Sequence, residues 1–139
     1  MSSYVPAELR RRVVERARGC CEYCRFAVDD RLLPGEIDHV ISEKHGGKTV
    51  DDNLCLACFR CNSLKGSDIA GADPVTGLPT FLYHPRLHLW SAHFRFMGEG
   101  HLEPLSPEAR LTVLLLKMNA PVLIVQRRLL HIVGRYPCL

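Results

Sequence analysis

The sequence lacks the long uncharged apolar run of ~20 residues that a transmembrane helix requires. Its most apolar stretch, residues 111–130, is interrupted by two arginines, a lysine, an asparagine and a proline. An apolar segment of the signal-peptide type is missing near the first residues, and the chain has no repeat or low-complexity tract. We therefore expect a cytoplasmic protein that makes no membrane contact and keeps its thiols reduced.

A strong excess of charge of either sign is also missing. The 139 residues carry a formal net charge of +3, and nearly half of them are hydrophobic. This composition is typical of one folded globular domain and argues against wholesale disorder. The weak positive charge is compatible with a nucleic-acid partner but does not require one. Nothing in the composition indicates an oligomeric state.

Cysteine is the residue type that stands out, with seven in the chain. Two Cys-x-x-Cys pairs, Cys21/Cys24 and Cys58/Cys61, have the spacing at which one turn supplies two thiolate ligands. Two such turns complete a tetrahedral zinc site with no open position for water, so we predict structural zinc. A disulfide-rich secreted domain is the less favoured interpretation, because it fits neither the missing signal segment nor the paired spacing.

The second pair has an alternative, since Cys55 and Cys58 also form a Cys-x-x-Cys. We favour Cys58/Cys61 because Cys61 is followed by Asn62 and Lys65 at the start of a predicted short helix. Cys55 then becomes a small core residue in an apolar strand. The spacing alone does not decide between the two sets. Cys20 and Cys138 are predicted to be free thiols.

Periodicity and turn residues predict a mixed architecture. Pro6–Arg18 has the pattern of an amphipathic helix, and Ser106 and Pro107 have the pattern of a helix N-terminus. Residues 81–100 show no clean period. The remaining predicted elements are a strand over 36–41, a second short strand over 53–57, a helix over 60–69, a loop over 71–79, a helix to about 118 and a last helix from Pro121 to near Gly134.

Between the cysteine pairs lie residues suited to phosphodiester hydrolysis. A histidine such as His39 keeps a neutral fraction at physiological pH and is able to deprotonate water. Asp38 and Asn62 offer two hard oxygen ligands for Mg²⁺. In a regular strand Asp38 and His39 point to opposite faces. A twist or bulge must therefore bring them together, or they must act from the end of the strand.

The ordered run Cys21-x-x-Cys24, Asp38-His39, Gly46-Gly47, Asn53-Leu54, Cys58-x-x-Cys61-Asn62-x-x-Lys65 resembles the zinc-containing branch of the HNH endonuclease family. The resemblance implies a ββα-metal (His-Me finger) core. It also implies that His39 is the general base, that Asp38 is a metal ligand, and that Asn53 is the asparagine that holds the base in orientation. Asn62 stands at the last position of the motif, where the family name implies a second histidine and some members use asparagine.

The expected fold is α+β, with a small zinc-bound ββα-metal core over about 19–70, an N-terminal helix and a helical extension over about 80–139. We expect one domain over 1–139 that acts as a DNA endonuclease, with structural Zn²⁺ and catalytic Mg²⁺ or Mn²⁺. Lys65, Arg11 and Arg12 are the expected phosphate contacts. The alternative is a zinc-stabilised nucleic-acid-binding module without catalysis.

Overall fold

The computed structural model describes residues 4–138, which form an α+β fold, as predicted. Five helices alternate with three two-stranded antiparallel sheets. In chain order the elements are α1 Ala7–Ala17, β1 Gly35–His39, β2 Leu54–Cys58, α2 Phe59–Lys65, β3 Ala70–Ala72, β4 Pro79–Phe81, α3 Trp90–His93, β5 Phe94–Phe96, β6 Leu102–Pro104, α4 Pro107–Leu115 and α5 Pro121–Ile132. Two short 3-10 helices, Glu43–His45 and Asp51–Asn53, lie between β1 and β2.

The centre of the fold is the ββα unit formed by β1, β2 and α2. The two strands pair in an unbroken antiparallel register, in which Asp38 lies opposite Cys55 and His39 lies opposite Leu54. Residues directly opposite each other share a face of the sheet. Asp38 and His39 therefore lie on opposite faces at the end of β1, and no bulge brings them together. Helix α2 follows β2 directly, and Cys58 is its N-cap residue, whose Sγ accepts a hydrogen bond from the Cys61 amide.

The predicted N-terminal helix is present and covers one face of this sheet. Its apolar residues Val13 and Ala17 are buried against Leu54 and Leu56 of β2. The opposite face of β2 carries Cys55 and Ala57 into the second core cluster, which also contains four other cysteines. Because both faces of β2 are covered, its five residues are all buried.

The C-terminal half holds more sheet than the sequence predicted. The predicted loop over 71–79 is flanked by strands β3 and β4, and residues 81–100 contain α3 and β5. Strands of three residues are too short to show a period of two in the sequence. The two predicted helices are present, and the Ser106 side chain caps α4 by accepting the Ala109 amide at 3.1 Å.

The C-terminus is tied to the turn that carries the first cysteine pair. Cys20 and Cys138 form a disulfide across 118 residues, so the prediction that both are free thiols is wrong. The Tyr136 hydroxyl donates to the Cys24 carbonyl at 2.7 Å, and the Cys138 amide donates to the Arg25 carbonyl at 2.9 Å. The sequence could not indicate this pairing, because the spacing of distant cysteines does not determine which of them meet. A cytoplasmic location stays a prediction.

Within residues 4–138, no helix combines the length and the apolar character needed to cross a lipid bilayer.

Candidate active site and metal centre

Cys21, Cys24, Cys58 and Cys61 meet in one buried cluster, with all four Sγ atoms within 4.8 Å of one another. The first two come from the turn before Arg25, whose amide donates to the Cys21 carbonyl at 3.0 Å. The other two come from the end of β2 and the first turn of α2. These are the four cysteines expected from the sequence, and Cys55 lies outside the cluster.

The cluster has the dimensions of a tetrahedral metal site. Zn–S bonds of ~2.3 Å in a tetrahedron place the sulfur atoms about 3.8 Å apart. The Sγ atoms of Cys24 and Cys58 are 3.8 Å apart. Hydrogen bonds from the other three thiols hold the pKa of Cys58 far below its ordinary value. Arg60 adds a positive charge, since its Nη2 lies 3.7 Å from Cys61 Sγ. The residues present therefore fit one zinc ion bound by four thiolates.

Asp38 lies in a buried polar network behind the end of β1. Its Oδ2 accepts a hydrogen bond from the Tyr23 hydroxyl at 3.1 Å and forms an ion pair with Lys65 Nζ at 3.2 Å. Cys55 Sγ lies 3.8 Å from the same oxygen. Burial raises the pKa of Asp38, and the Lys65 ammonium opposes that rise. Among residues 4–138, every partner of this carboxylate contacts Oδ2, so Oδ1 has no hydrogen bond.

His39 is the last residue of β1 and is half-buried. Its Nε2 lies 2.9 Å from the hydroxyl of Thr49. If Nε2 carries the proton and donates it to Thr49 Oγ1, the lone pair of the neutral ring lies on Nδ1. Thr49 was not found by sequence reasoning, because a loop of nine residues separates it from His39 and no spacing rule applies there.

Asn53 organises this loop, but it does so through the backbone. Its side-chain amide accepts from the Ile41 amide at 2.9 Å and donates to the carbonyls of Ile41 and Lys48 at 2.8 and 2.9 Å. Gly47 has no room for a side chain here, because a Cβ would lie 1.7 Å from the Ile41 carbonyl oxygen. Asn53 therefore closes the loop between His39 and Thr49, and its side-chain hydrogen bonds go to the backbone of that loop and not to the imidazole.

Asp38, His39 and Asn62 line one surface cleft of about 480 Å³. Asn62 comes from the second turn of α2 and is partly exposed. Its side-chain amide has no hydrogen-bond partner among the described residues, which leaves its oxygen available to a ligand. Two further carboxylates, Glu36 and Glu43, lie on the wall of the cleft. The arrangement places a histidine beside a pair of oxygen donors of the kind that bind Mg²⁺ or Mn²⁺.

The three expected phosphate contacts are not free cations in the structure. Lys65 is only 2% exposed, and its ammonium is held by Asp38 and by the His39 carbonyl at 3.1 Å. Arg11 and Arg12 are exposed but already bind carboxylates, Arg11 those of Glu8 and Glu15 and Arg12 that of Asp51. The sequence shows the charges on a helix face but does not show which carboxylates neutralise them.

Tyr23 was also missed by sequence reasoning. It lies between Cys21 and Cys24 and is fully buried. The Trp90 indole fixes it by donating to its carbonyl at 2.7 Å. Its position inside a Cys-x-x-Cys turn is a usable signal in retrospect. A residue between two ligands of a buried metal site is held in place by the turn that positions the ligands.

No curated protein is similar enough to the chain to count as a match. The family model described as HNH endonuclease matches residues 21–68. The matched segment contains all four cysteines of the cluster and all three residues of the cleft that carry the expected chemistry. Over residues 21–68, which are less than half of the chain, the protein is similar to the HNH endonuclease family.

Proposed function

We propose that this protein is a metal-dependent DNA endonuclease that hydrolyses phosphodiester bonds in the cleft formed by Asp38, His39 and Asn62. The observation that carries the proposal is the convergence of these three side chains on one cleft, within the segment matched by the HNH family model. A general base next to two hard oxygen donors is the minimum set for attack of water on a phosphodiester.

His39 acts as the general base. With Nε2–H donated to Thr49, the Nδ1 lone pair takes a proton from water as the water oxygen bonds to phosphorus. The bond between phosphorus and the leaving sugar oxygen breaks, and that oxygen afterwards takes up a proton. Thr49 is a positioning residue, because it fixes the tautomer and the angle of the ring. Asn53 supports both residues by closing the loop between them.

Asp38 and Asn62 would hold a divalent cation, Mg²⁺ or Mn²⁺. The fit rests on two groups that have no hydrogen bond within residues 4–138: Asp38 Oδ1, although Oδ2 has several, and the side-chain amide of Asn62. When bound, the cation polarises the phosphate and stabilises charge on the leaving oxygen. Tyr23 and Lys65 hold the carboxylate in place from behind, and Lys65 favours its charged form.

The four-cysteine cluster would hold zinc and act structurally. Four thiolates complete the coordination of Zn²⁺, so no position remains for water or substrate. The cluster joins the turn of residues 21–24 to β2 and α2, and these elements bring Tyr23 to the Asp38 carboxylate and Asn62 to the cleft. Loss of zinc should therefore abolish folding of this region as well as activity.

The decisive experiment is plasmid digestion with Mg²⁺ or Mn²⁺ by wild type and by His39→Ala. The variant should remain folded and zinc-loaded and should still bind DNA, but its cleavage rate should fall by on the order of 10²–10⁴-fold. His101→Ala is the matched control, because His101 is exposed and does not line the cleft. Equal cleavage by His39→Ala and wild type would refute the assignment of the base.

A variant of the metal ligand separates the roles of base and cation site. Asp38→Asn removes the charged ligand but keeps the shape of the side chain, so raising the Mn²⁺ concentration should restore part of its activity. The same increase should not rescue His39→Ala.

The rival function, a zinc-stabilised nucleic-acid-binding module, has the closed cysteine cluster in its favour, since such a cluster needs no chemistry. It would be established by nucleic-acid binding without cleavage under any divalent cation.

A further inference from the structure

A second cleft, of about 610 Å³, lies between the end of α1, the turn after Cys24 and the segment before α3. We name it the arginine groove, after the four arginines that line it: Arg16, Arg18, Arg25 and Arg86. Among residues 4–138, Glu22 is the one carboxylate on its wall, and it forms an ion pair with Arg86. Four positive charges and one negative charge leave the groove with +3, which equals the formal charge of the whole chain.

Three of these arginines have no counter-ion within residues 4–138, and one of the three, Arg16, donates instead to the carbonyls of Asp51 and Leu54. The guanidinium groups of Arg18 and Arg25 make no ion pair among residues 4–138. This separates them from Arg11 and Arg12 on the outer face of α1, whose charges are neutralised by neighbouring carboxylates. Unpaired cations that share one concave surface raise the local potential and attract anions.

Arg18 and Arg25 both have an unusual backbone conformation. Arg18 and Arg25 lie in the left-handed region, with φ of 56° and 65°, which costs a residue with a Cβ roughly 1 kcal/mol or more. Arg18 ends α1, and Arg25 follows the cysteine turn. The Arg25 guanidinium is also held in place, since it lies over the Trp90 ring at 5.4 Å. The Arg25 guanidinium is therefore positioned in the groove before any ligand arrives.

The groove is linked to the candidate active site through Arg16. Its Nη2 donates to the Leu54 carbonyl at 2.8 Å, and Leu54 lies opposite His39 in the β1–β2 register. One end of the groove thus reaches the end of the sheet where His39 lies.

We infer that the arginine groove binds the sugar–phosphate backbone of the nucleic acid that is cleaved, an inference that rests on the proposed function. Arginine binds phosphate oxygens with two parallel hydrogen bonds. The large aromatic rings in the groove are not available as platforms for a base. Trp90 stacks on Phe94 with ring centroids 5.2 Å apart and also carries Arg25, and Tyr83 is buried. Binding in the groove should therefore depend on charge and be independent of base sequence.

The test measures binding of a fluorescent duplex by anisotropy across a salt series, in the His39→Ala protein so that the probe is not cut. Arg18→Gln/Arg25→Gln should raise Kd by about tenfold or more. It should also reduce the slope of log K against log salt by about 2, because two fewer phosphates are neutralised by the protein. The charge-matched control is Arg128→Gln/Arg135→Gln, which removes two exposed cations that do not line the groove. Zinc content and thermal melting check that both variants are folded.

The outcomes separate this inference from the proposed function. If the groove variant and the control variant bind equally, or if wild type binds no duplex at low salt, the groove assignment is overturned. If wild type binds through the groove but cleaves nothing with any divalent cation, the endonuclease proposal fails and the groove stands. A groove variant that binds several unrelated duplexes with the same weakened Kd supports backbone recognition, whereas weakening on one sequence alone would overturn it.

Discussion

Replacing Lys65 by methionine should lower the free energy of unfolding by about 3–5 kcal/mol, the usual cost of removing one partner of a buried ion pair. The Lys65 side chain is 2% exposed and that of Asp38 is 7% exposed, with Nζ and Oδ2 3.2 Å apart. Methionine fills a similar volume, so the variant tests the charge more than the packing. It leaves the carboxylate of Asp38 buried with two neutral donors, the Tyr23 hydroxyl and the Cys55 thiol.

The magnitude follows from burial. An exposed pair at the same distance is worth ~1 kcal/mol or less, because water screens it and long side chains lose entropy. Here burial shields the pair from most of the water, and the Lys65 ammonium also donates to the His39 carbonyl, which loses its partner in the variant. An unfilled buried acceptor costs a further ~1–3 kcal/mol. Both effects lower the free energy of unfolding of Lys65→Met.

A double-mutant cycle with Asp38→Asn measures the interaction free energy between Asp38 and Lys65. Asp38→Asn/Lys65→Met has no buried charge at this point, so it should be more stable than the sum of the single losses implies, by about 1–3 kcal/mol. The assay is urea unfolding of the zinc-loaded proteins at a fixed pH near neutrality, followed by circular dichroism. A cost below ~1 kcal/mol for Lys65→Met, the value of an exposed pair, or strict additivity of the two changes, would show that water screens the ion pair.

The same variant should affect cation binding in the opposite direction. The Lys65 ammonium repels a divalent cation that approaches the Asp38 carboxylate, so Lys65→Met should bind Mn²⁺ more tightly while it is less stable. Titration calorimetry on the folded variant measures this. Weaker Mn²⁺ binding by Lys65→Met would show that the lysine positions Asp38 for the cation more than it competes with it.

Two further predictions concern the zinc cluster and a partly buried histidine. Cys61→Ala should lose the metal and the folded core. Cys55→Ala should keep about one zinc per chain and lose only a modest part of the stability. Metal analysis of both variants shows which cysteine is a zinc ligand. Burial, and then the neighbouring ring of His88, lower the pKa of His84, so its NMR titration midpoint should lie below the ordinary value of ~6.5. Since the unfolded chain takes up this proton more readily, the free energy of unfolding should fall as the pH decreases from ~6.5 through that midpoint, and this slope should weaken in His84→Gln. A midpoint at or above ~6.5 would contradict the burial of His84.

Short-range patterns account for the parts of the fold that the sequence predicted. A gap of two residues between cysteines is enough to bring two thiolates to one side of a turn, and the four expected cysteines do meet. The Ser106 cap and the apolar face of α1 depend on neighbours within one or two helical turns. The alternation of β1 correctly placed Asp38 and His39 on opposite faces, and their position at the end of the strand lets both line one cleft.

Electrostatic partners, in contrast, depend on contacts between distant segments. Lys65 lies on a short helix whose sequence does not show that its ammonium is buried beside Asp38. Tyr23 reaches Asp38 across 15 residues, and Cys20 pairs with Cys138 across 118. The chain's residues and their spacing are enough to establish which chemical groups the protein has and which local turns carry them. Whether a charge faces solvent, a carboxylate or a groove depends on which distant segments pack together, because burial and pairing are properties of the assembled core.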